Sequence, residues 1–454
     1  MEKILLSDIA KAVGGTTSID KDIDIDTICT DTRQITDGCV FLAIRGDRFD
    51  GHDFVGYAFE KGAVAAITEK QVENYPCIIV NDTRKAFLEL SKYYRELFNL
   101  ILVGVTGSVG KTTTKEMIAL VLSEKYKTLK TKGNLNNEIG LPKTLLDINK
   151  EHRAAVIEMG MSGFGEIERL SNAALPTISV ITNIGFSHIE SLKTQEGILK
   201  AKLEILSGMR EDAPLVINAD DKFLSPLKET LARTVFTYGI ENKTADYLAE
   251  NIHEVNSSTV FTVKYQDKLA EVILPCIGKH NILNALSAFC IGINSGVTET
   301  EIINALKKYK PDELRQNIVK KGEQTIIIDC YNASPDSMKA SLSVLLQIKI
   351  NCGERKIAVL GDMLELGEMS RQLHENIGKL PEISSVDMLF TYGNESEYIS
   401  NKAKELGIRV KHTSDKNRLI NELKAYLKPE DVVLFKGSRG MHLEEVIDEL
   451  YGVN

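Results

Sequence analysis

Residues 100–116 read LILVGVTGSVGKTTTKE and restrict the fold more than any other stretch of the chain. An apolar run over 100–105 breaks at Thr106-Gly107, passes Gly110-Lys111-Thr112 and goes on with helical spacing. That order, strand then glycine turn then helix, turns backbone N–H groups and the positive end of a helix toward a phosphate. Lys111 then meets the terminal phosphates as a point charge, and the Thr112 hydroxyl ligates Mg²⁺. The general pattern carries one more glycine where Val105 stands. The loop is therefore the shorter GxxGKTT form, built from Gly107, Ser108, Val109, Gly110, Lys111, Thr112 and Thr113.

A chain of 454 residues exceeds one ordinary core and divides by its rhythm. Up to residue 99, short apolar runs at 41–44, 63–68 and 77–80 predict buried strands, with a polar loop at 45–52 and an amphipathic helix over 82–97. From 100 to 310, strands expected at 100–105, 127–131, 154–158, 178–183 and 215–218 alternate with helices. Their Val/Ile/Leu character suits a parallel sheet covered on both faces. Residues 255–274 read as a small antiparallel appendage, and 280–293 return to helical spacing. From 311 the alternation restarts, with strands at 325–329, 356–361, 388–393 and 432–437 in a Rossmann-like rhythm without GxGxxG. The expected fold is α/β in three domains: a small α/β N-terminal domain (1–99), a central parallel-sheet P-loop ATPase-like domain (100–310) and a Rossmann-like C-terminal domain (311–454).

Ligands of open parallel sheets gather at the carboxyl ends of the strands. Glu158 closes the strand AAVIE there, Asn183 closes ISVITN, and His188 follows by a short loop. A carboxylate and an imidazole beside a triphosphate make a metal-binding rim. Residues 131–142, TKGNLNNEIGLP, offer amides that can hold a carboxylate or phosphate. The helix ILKAKLEI at 198–205 carries Lys200 and Lys202, and the residues alone do not choose between them.

The net charge of -9 and pI near 5.6 argue against a general nucleic-acid partner, since a polyphosphate groove needs positive potential. Seven cysteines, Cys352 among them, are scattered without CxxC spacing. They predict a reduced, cytoplasmic chain with neither disulfides nor a zinc cluster. The start lacks a signal-peptide pattern, and no apolar stretch is long enough for membrane insertion.

The segments TGSVGKTTTKE, GNLNNEIGLP, EMG at Glu158, TNIGFSHIE, AKLEI, GKHNILNALSA, DCYNASPDSMKAS, VLGDMLELG and KGSRGMHLEE occur in order over nearly the whole chain. Together they resemble the Mur ligases of bacterial cell-wall synthesis. Asp31-Thr32-Arg33, with FLAIRGDRFDGHDF at 41–54, favours the member whose substrates are UDP-N-acetylmuramoyl-tripeptide and D-Ala-D-Ala. The resemblance implies an ATP-dependent amide ligase, acting as a monomer, whose first domain holds the uridine-diphosphate end through Thr32, Arg33, Gly46, Asp50 and His52. It places ATP on Gly107 to Thr113, with His280, Asn281 and Asn284 on the adenine side. Arg315 and Asp329 would reach ribose and phosphate, and Asn332 the substrate. Two Mg²⁺ ions would be held by Thr112, Glu158, His188 and a Lys202 carbamylated by CO₂, so that Lys111, Glu158, His188 and Lys202 form the catalytic set. Two motifs depart from the family pattern: DELRQNI around Arg315, and DCYNASP, where Cys330 and Ser334 intervene. The competing readings are a paralogous ligase joining a different dipeptide or amino acid, a folylpolyglutamate-type ligase, and a P-loop switch that hydrolyses ATP without any peptide substrate.

Overall fold

The Val/Ile/Leu runs become strands buried on both faces, and the chain packs around them as two compact units. The computed structural model describes residues 1–17, 19, 22–46, 49–255, 257–349 and 353–452. The first unit comprises Met1–Thr106, Lys125–Val180 and Leu203–Pro214; the second comprises Gly107–Glu124, Ile181–Lys202 and Leu215–Asn454.

In the first unit a five-stranded sheet runs in the order Thr16–Thr17, Cys77–Ile79, Ala65–Thr68, Val40–Leu42, Ile28–Cys29. It is parallel except at its Thr16–Thr17 edge. The strand expected over 41–44 stops at Leu42, because the Ile44 carbonyl turns away to accept from the Gly51 N–H. Asp82 caps the helix Thr83–Glu96 by accepting from the Arg84 and Lys85 N–H groups, and the helix buries Phe87, Leu90 and Tyr94. The same unit holds Ile101–Thr106 in parallel register with Ala154–Glu158, Val105 opposite Glu158, with Thr128–Lys130 on the other side of Ala154–Glu158. Leu102, Val103, Val156 and Ile157 are wholly buried, as a strand covered on both faces requires.

In the second unit Leu215–Asn218 pairs in parallel with Val235–Gly239. Residues 255–274 are antiparallel as expected but are no separate appendage. Tyr247 and Leu248 pair in parallel with Tyr238 and Gly239, and the strands Tyr247–Val255, Ser258–Tyr265 and Lys268–Leu274 continue the same sheet. A second sheet runs in the order Asn317–Lys321, Gln324–Asp329, Val432–Lys436, Lys356–Gly361, Met388–Tyr392, Val410–Thr413. Only Asn317–Lys321 is antiparallel. Its two edge strands escape sequence reading because they are short and charged, as edges exposed to water tend to be. Register sets Asp329 opposite Lys436 at the carboxyl ends of neighbouring strands. Among the described cysteines, six are free and buried; Cys352 lies outside the described residues.

The base of this second sheet is tied by Arg355, which donates to Asp431 through Nε at 2.8 Å and Nη2 at 2.6 Å. Asp431 is 1% exposed and also accepts from the Lys428 N–H at 2.7 Å. Removing the arginine strands the buried Asp431 carboxylate without its cation, so Arg355→Ala is expected to cost about 3 kcal/mol, read as a lower urea midpoint. Arg371→Ala, which breaks the exposed Arg371–Glu375 pair, should leave that midpoint unchanged.

Candidate active site

The loop leaves the strand Ile101–Thr106 with Gly107 at φ +147° and enters the helix Lys111–Ser123 through Gly110 at φ +83°. A Cβ at position 107 would collide with the Thr182 hydroxyl, so glycine is required there by close approach as well as by dihedral. The centre of the loop is clamped. The Val109 N–H donates to Asn183 Oδ1 at 2.9 Å, and its carbonyl accepts from Asn183 Nδ2 at 2.9 Å and Thr182 Oγ1 at 2.7 Å. The Ser108 N–H donates to the Asn183 carbonyl at 3.1 Å, and Ser108 Oγ accepts from the Gly185 N–H at 2.9 Å. This is why the strand expected over 178–183 ends at Ile181: Thr182 and Asn183 turn out of the ladder to hold the loop. Lys111 Nζ folds over the loop onto the carbonyls of Gly107 (2.8 Å) and Ser108 (3.3 Å). Thr112 is buried in the first helical turn. The Thr113 hydroxyl meets the Tyr309 phenol, and the Thr114 hydroxyl donates to Asn284 Oδ1 at 3.1 Å.

The structure separates the two lysines that sequence could not. Lys200 is exposed on the helix Gln195–Leu203, whereas Lys202 is 1% exposed. Burial, and then the nearby Lys111 ammonium, hold the Lys202 amine far below the usual lysine range. Such burial favours the neutral, nucleophilic form of the amine. His188 stands at φ +62°, and its Nδ1 lies 2.8 Å from Glu365 Oε2. The His188 contact holds the Glu365 carboxyl below its ordinary range. In the first unit, Glu158 is 2% exposed and accepts from Asn136 Nδ2 at 2.9 Å; its N–H donates to Thr131 Oγ1 at 3.0 Å. Asn137 Oδ1 accepts from the Gly140 N–H at 2.9 Å. Two asparagines of the 131–142 segment therefore serve the protein itself, one by orienting Glu158.

Around the expected nucleotide residues, Asn281 Nδ2 donates to the Ile277 carbonyl at 2.9 Å and to Gln316 Oε1 at 2.8 Å. His280 Nε2 meets the same Gln316 oxygen, and Gln316 Nε2 donates to the Ile277 carbonyl at 2.8 Å. The neighbouring Arg315 guanidinium stacks 3.7 Å from the centre of the Tyr331 ring. Asp329 pairs with Lys436 Nζ at 2.9 Å and accepts the Ser341 hydroxyl; Lys436 also donates to the Asn332 carbonyl at 2.7 Å. Gln316 and Lys436, both buried, are absent from the sequence-derived set. The strand-end position of Lys436 in KGSRG was the available signal for it; nothing marked Gln316.

In the N-terminal sheet, Asp31 caps the turn Thr32–Gln34, and the Arg33 guanidinium, folded back 2.7 Å from it, holds the Asp31 carboxyl at about 2. The Gly46 N–H donates to the Phe49 carbonyl at 2.9 Å; Asp47 and Arg48 lie outside the described residues. Asp50 caps the turn Gly51–Phe54, and the His52 N–H and ring hold its carboxyl at about 2. His52 Nδ1 approaches Asp50 Oδ1 at 2.5 Å, while Nε2 accepts from the Glu69 N–H at 2.9 Å. Both ring nitrogens of His52 are thus committed to shaping the loop, which fixes the Nδ1–H tautomer.

The clamp on Val109 has a measurable consequence. Asn183→Ala deletes two hydrogen bonds that fix the loop backbone, and ADP affinity measured calorimetrically is expected to fall about tenfold or more. Asn183→Asp, which keeps the acceptor and loses the donor, should fall between the two; unchanged affinity in both would remove the clamp from the account.

Comparison with known proteins follows this geometry closely. Residues 24–98 match the Mur ligase family catalytic domain, 105–292 the Mur ligase middle domain and 314–439 the Mur ligase glutamate ligase domain. The UDP-N-acetylmuramoyl-tripeptide–D-alanyl-D-alanine ligase of Bacillus subtilis is 38% identical over 99% of both chains, and that of Escherichia coli is 37% identical over 94% of both. A crystal structure of MurF from Acinetobacter baumannii superposes with a TM-score of 0.91 at 32% identity, covering 100% of each chain. MurF ligase from Thermotoga maritima, solved in complex with ADP, gives 0.84 at 31% identity over 94% of this chain and 97% of that one. The chain belongs to the Mur ligase family.

Proposed function

We propose that the chain joins D-alanyl-D-alanine to UDP-N-acetylmuramoyl-tripeptide at the expense of ATP, in cytoplasmic synthesis of peptidoglycan precursors. The observation that carries this reading is the end-to-end similarity to ligases bearing that name, 38% identical over 99% of both chains. The domains are residues 1–99, 100–310 and 311–454, each enclosing one of the matched family segments.

A carboxylate does not condense with an amine in water, so the reaction needs an activated acyl group. The γ-phosphoryl of ATP passes to the terminal carboxylate of the tripeptide and ADP leaves. The neutral amine of the dipeptide then attacks the acyl carbon, the C–O bond to phosphate breaks, and the amine gives up a proton. Such transfers depend on positioning and on neutralising charge. The clamped loop, with the N–H groups of its helix end, cradles the phosphates, and Lys111 offsets the repulsion between triphosphate and carboxylate.

Each unit carries an oxygen donor of the kind a hard cation takes, a buried hydroxyl at Thr112 in the second and a buried carboxylate at Glu158 in the first, and the second unit adds the borderline His188 imidazole. Among the described residues no three His, Cys, Asp or Glu side chains form a cage. Mg²⁺ needs none, because it takes one or two protein ligands and completes its shell with phosphate oxygens and water. Bound there, Mg²⁺ would neutralise charge on the transferring phosphoryl group. Lys202 in its neutral form can add to CO₂, forming an N–C bond and releasing a proton, and so supplies an anion for a second ion where no acidic residue is encoded.

Phosphate release from ATP in the presence of UDP-N-acetylmuramoyl-tripeptide is expected to require D-Ala-D-Ala. Equal release without the dipeptide would favour a P-loop switch and sink the ligase reading. Lys202→Ala is expected to lose about 100-fold in rate, with partial recovery in added acetate; full activity without acetate would take Lys202 out of the reaction.

A further inference from the structure

The contact between His188 and Glu365 has no place in the chemistry above. Glu365 belongs to the loop after the strand Lys356–Gly361, in the C-terminal family segment, whereas His188 belongs to the middle segment. Both residues stand in the left-handed region, His188 at φ +62° and Glu365 at φ +63°. A non-glycine residue there carries backbone strain, and two of them meeting through their side chains is a costly arrangement kept by the surrounding structure.

That surrounding structure is specific. Two residues beyond Glu365, Gly367 at φ +52° lies so close to Glu190 that a Cβ would stand 2.8 Å from Glu190 Cγ. At the other end of the same rim, the Asp336 carboxylate lies against Gly185 and accepts from the Phe186 N–H. The rim segment that bonds Ser108 through Gly185 is thus gripped at both ends by residues of the C-terminal segment. Within that grip Glu365 Oε2 lies 2.8 Å from His188 Nδ1. Nδ1 therefore carries the proton, and Nε2 is the nitrogen left as a lone-pair donor in the neutral ring. A carboxylate on the far nitrogen of an imidazole is the arrangement that fixes tautomer and ring orientation for a cation and raises the ring's basicity.

We propose that Glu365 is a positioning residue: it locks His188 in the Nδ1–H tautomer, with Nε2 ready to meet the divalent cation. Docking of the C-terminal segment on the 184–190 rim is thereby made a condition for tight cation binding by the middle segment. The inference rests on the cation role of His188 given above, and extends it to a residue outside the nucleotide-binding segment. The same carboxylate also feels the Lys111 ammonium. A rival role follows from that: Glu365 could stand where a phosphate belongs and compete with it.

The test uses the full-length protein and Glu365→Gln and Glu365→Ala variants. Nitrogen NMR of histidine-labelled protein should show His188 as the Nδ1–H tautomer, and a mixture of tautomers in Glu365→Ala. Mn²⁺ binding in the presence of ADP, followed by electron paramagnetic resonance, should weaken about tenfold in Glu365→Ala and less in Glu365→Gln. Neither readout depends on D-Ala-D-Ala, so a failed ligase assay and a failed Glu365 proposal are told apart. Unchanged tautomer and unchanged Mn²⁺ affinity would overturn the proposal. So would tighter ADP binding in Glu365→Ala, the mark of a competing carboxylate. If Glu365→Ala does not fold, Glu365→Met, which keeps the side-chain length and has no carboxylate to accept from Nδ1–H, takes its place, and a wild-type tautomer with wild-type Mn²⁺ affinity there overturns the proposal equally.

Discussion

The three hydrogen bonds that Asn183 and Thr182 make to Val109 hold the glycine loop of the candidate site in one conformation. A glycine-bearing loop has many backbone conformations, and a phosphate cradle needs one. Fixing a residue's backbone costs about 1–2 kcal/mol in entropy. Here a single asparagine meets both the N–H and the carbonyl of the same loop residue, so its amide offsets that cost with matched donor and acceptor. The rest follows from this constraint. Gly107 must lack a side chain because Thr182 approaches it, and the rim from 184 to 190 begins where the clamp ends.

Charge in this unit is arranged with the same economy. Lys111 rests on loop carbonyls that partly offset its charge, and the amine of the nearby Lys202 is buried and held well below the usual lysine range. Two ammonium groups close together in a dry environment would repel, so burial and repulsion act in the same direction on Lys202. Elsewhere the buried Lys436 ammonium is met by the Asp329 carboxylate and the Asn332 carbonyl. One lysine is buried beside another cation while the other is paired with a carboxylate, although both follow apolar neighbours in the sequence.

Much of the candidate site was legible beforehand because it is local. The strand, loop and helix around Lys111 are consecutive, so periodicity and glycine placement reveal them directly. Glu158 was legible as the last residue of an apolar strand. His52 and Asp50 were legible as residues of a loop, yet the loop's own folding takes both nitrogens of the His52 ring. Asn136 reads in sequence as one amide in an asparagine-rich turn; only folding shows that it holds the Glu158 carboxylate. Gln316 carried no signal at all, since its role is to bridge His280, Asn281 and the Ile277 carbonyl from 35 or more residues away.

The sequence by itself determined the α/β class, the triphosphate loop, the order of segments and, through nine motifs in register, the family. Those properties depend on neighbours along the chain, where backbone geometry and side-chain period are decisive. Tertiary structure alone decided which of Lys200 and Lys202 is buried, where the 178–183 strand stops, that residues 255–274 extend a sheet, and that Glu365 meets His188. Each of these depends on which distant groups exclude water from a side chain or complete its hydrogen bonds. Burial and partnership are set by packing in three dimensions, and no local pattern encodes them.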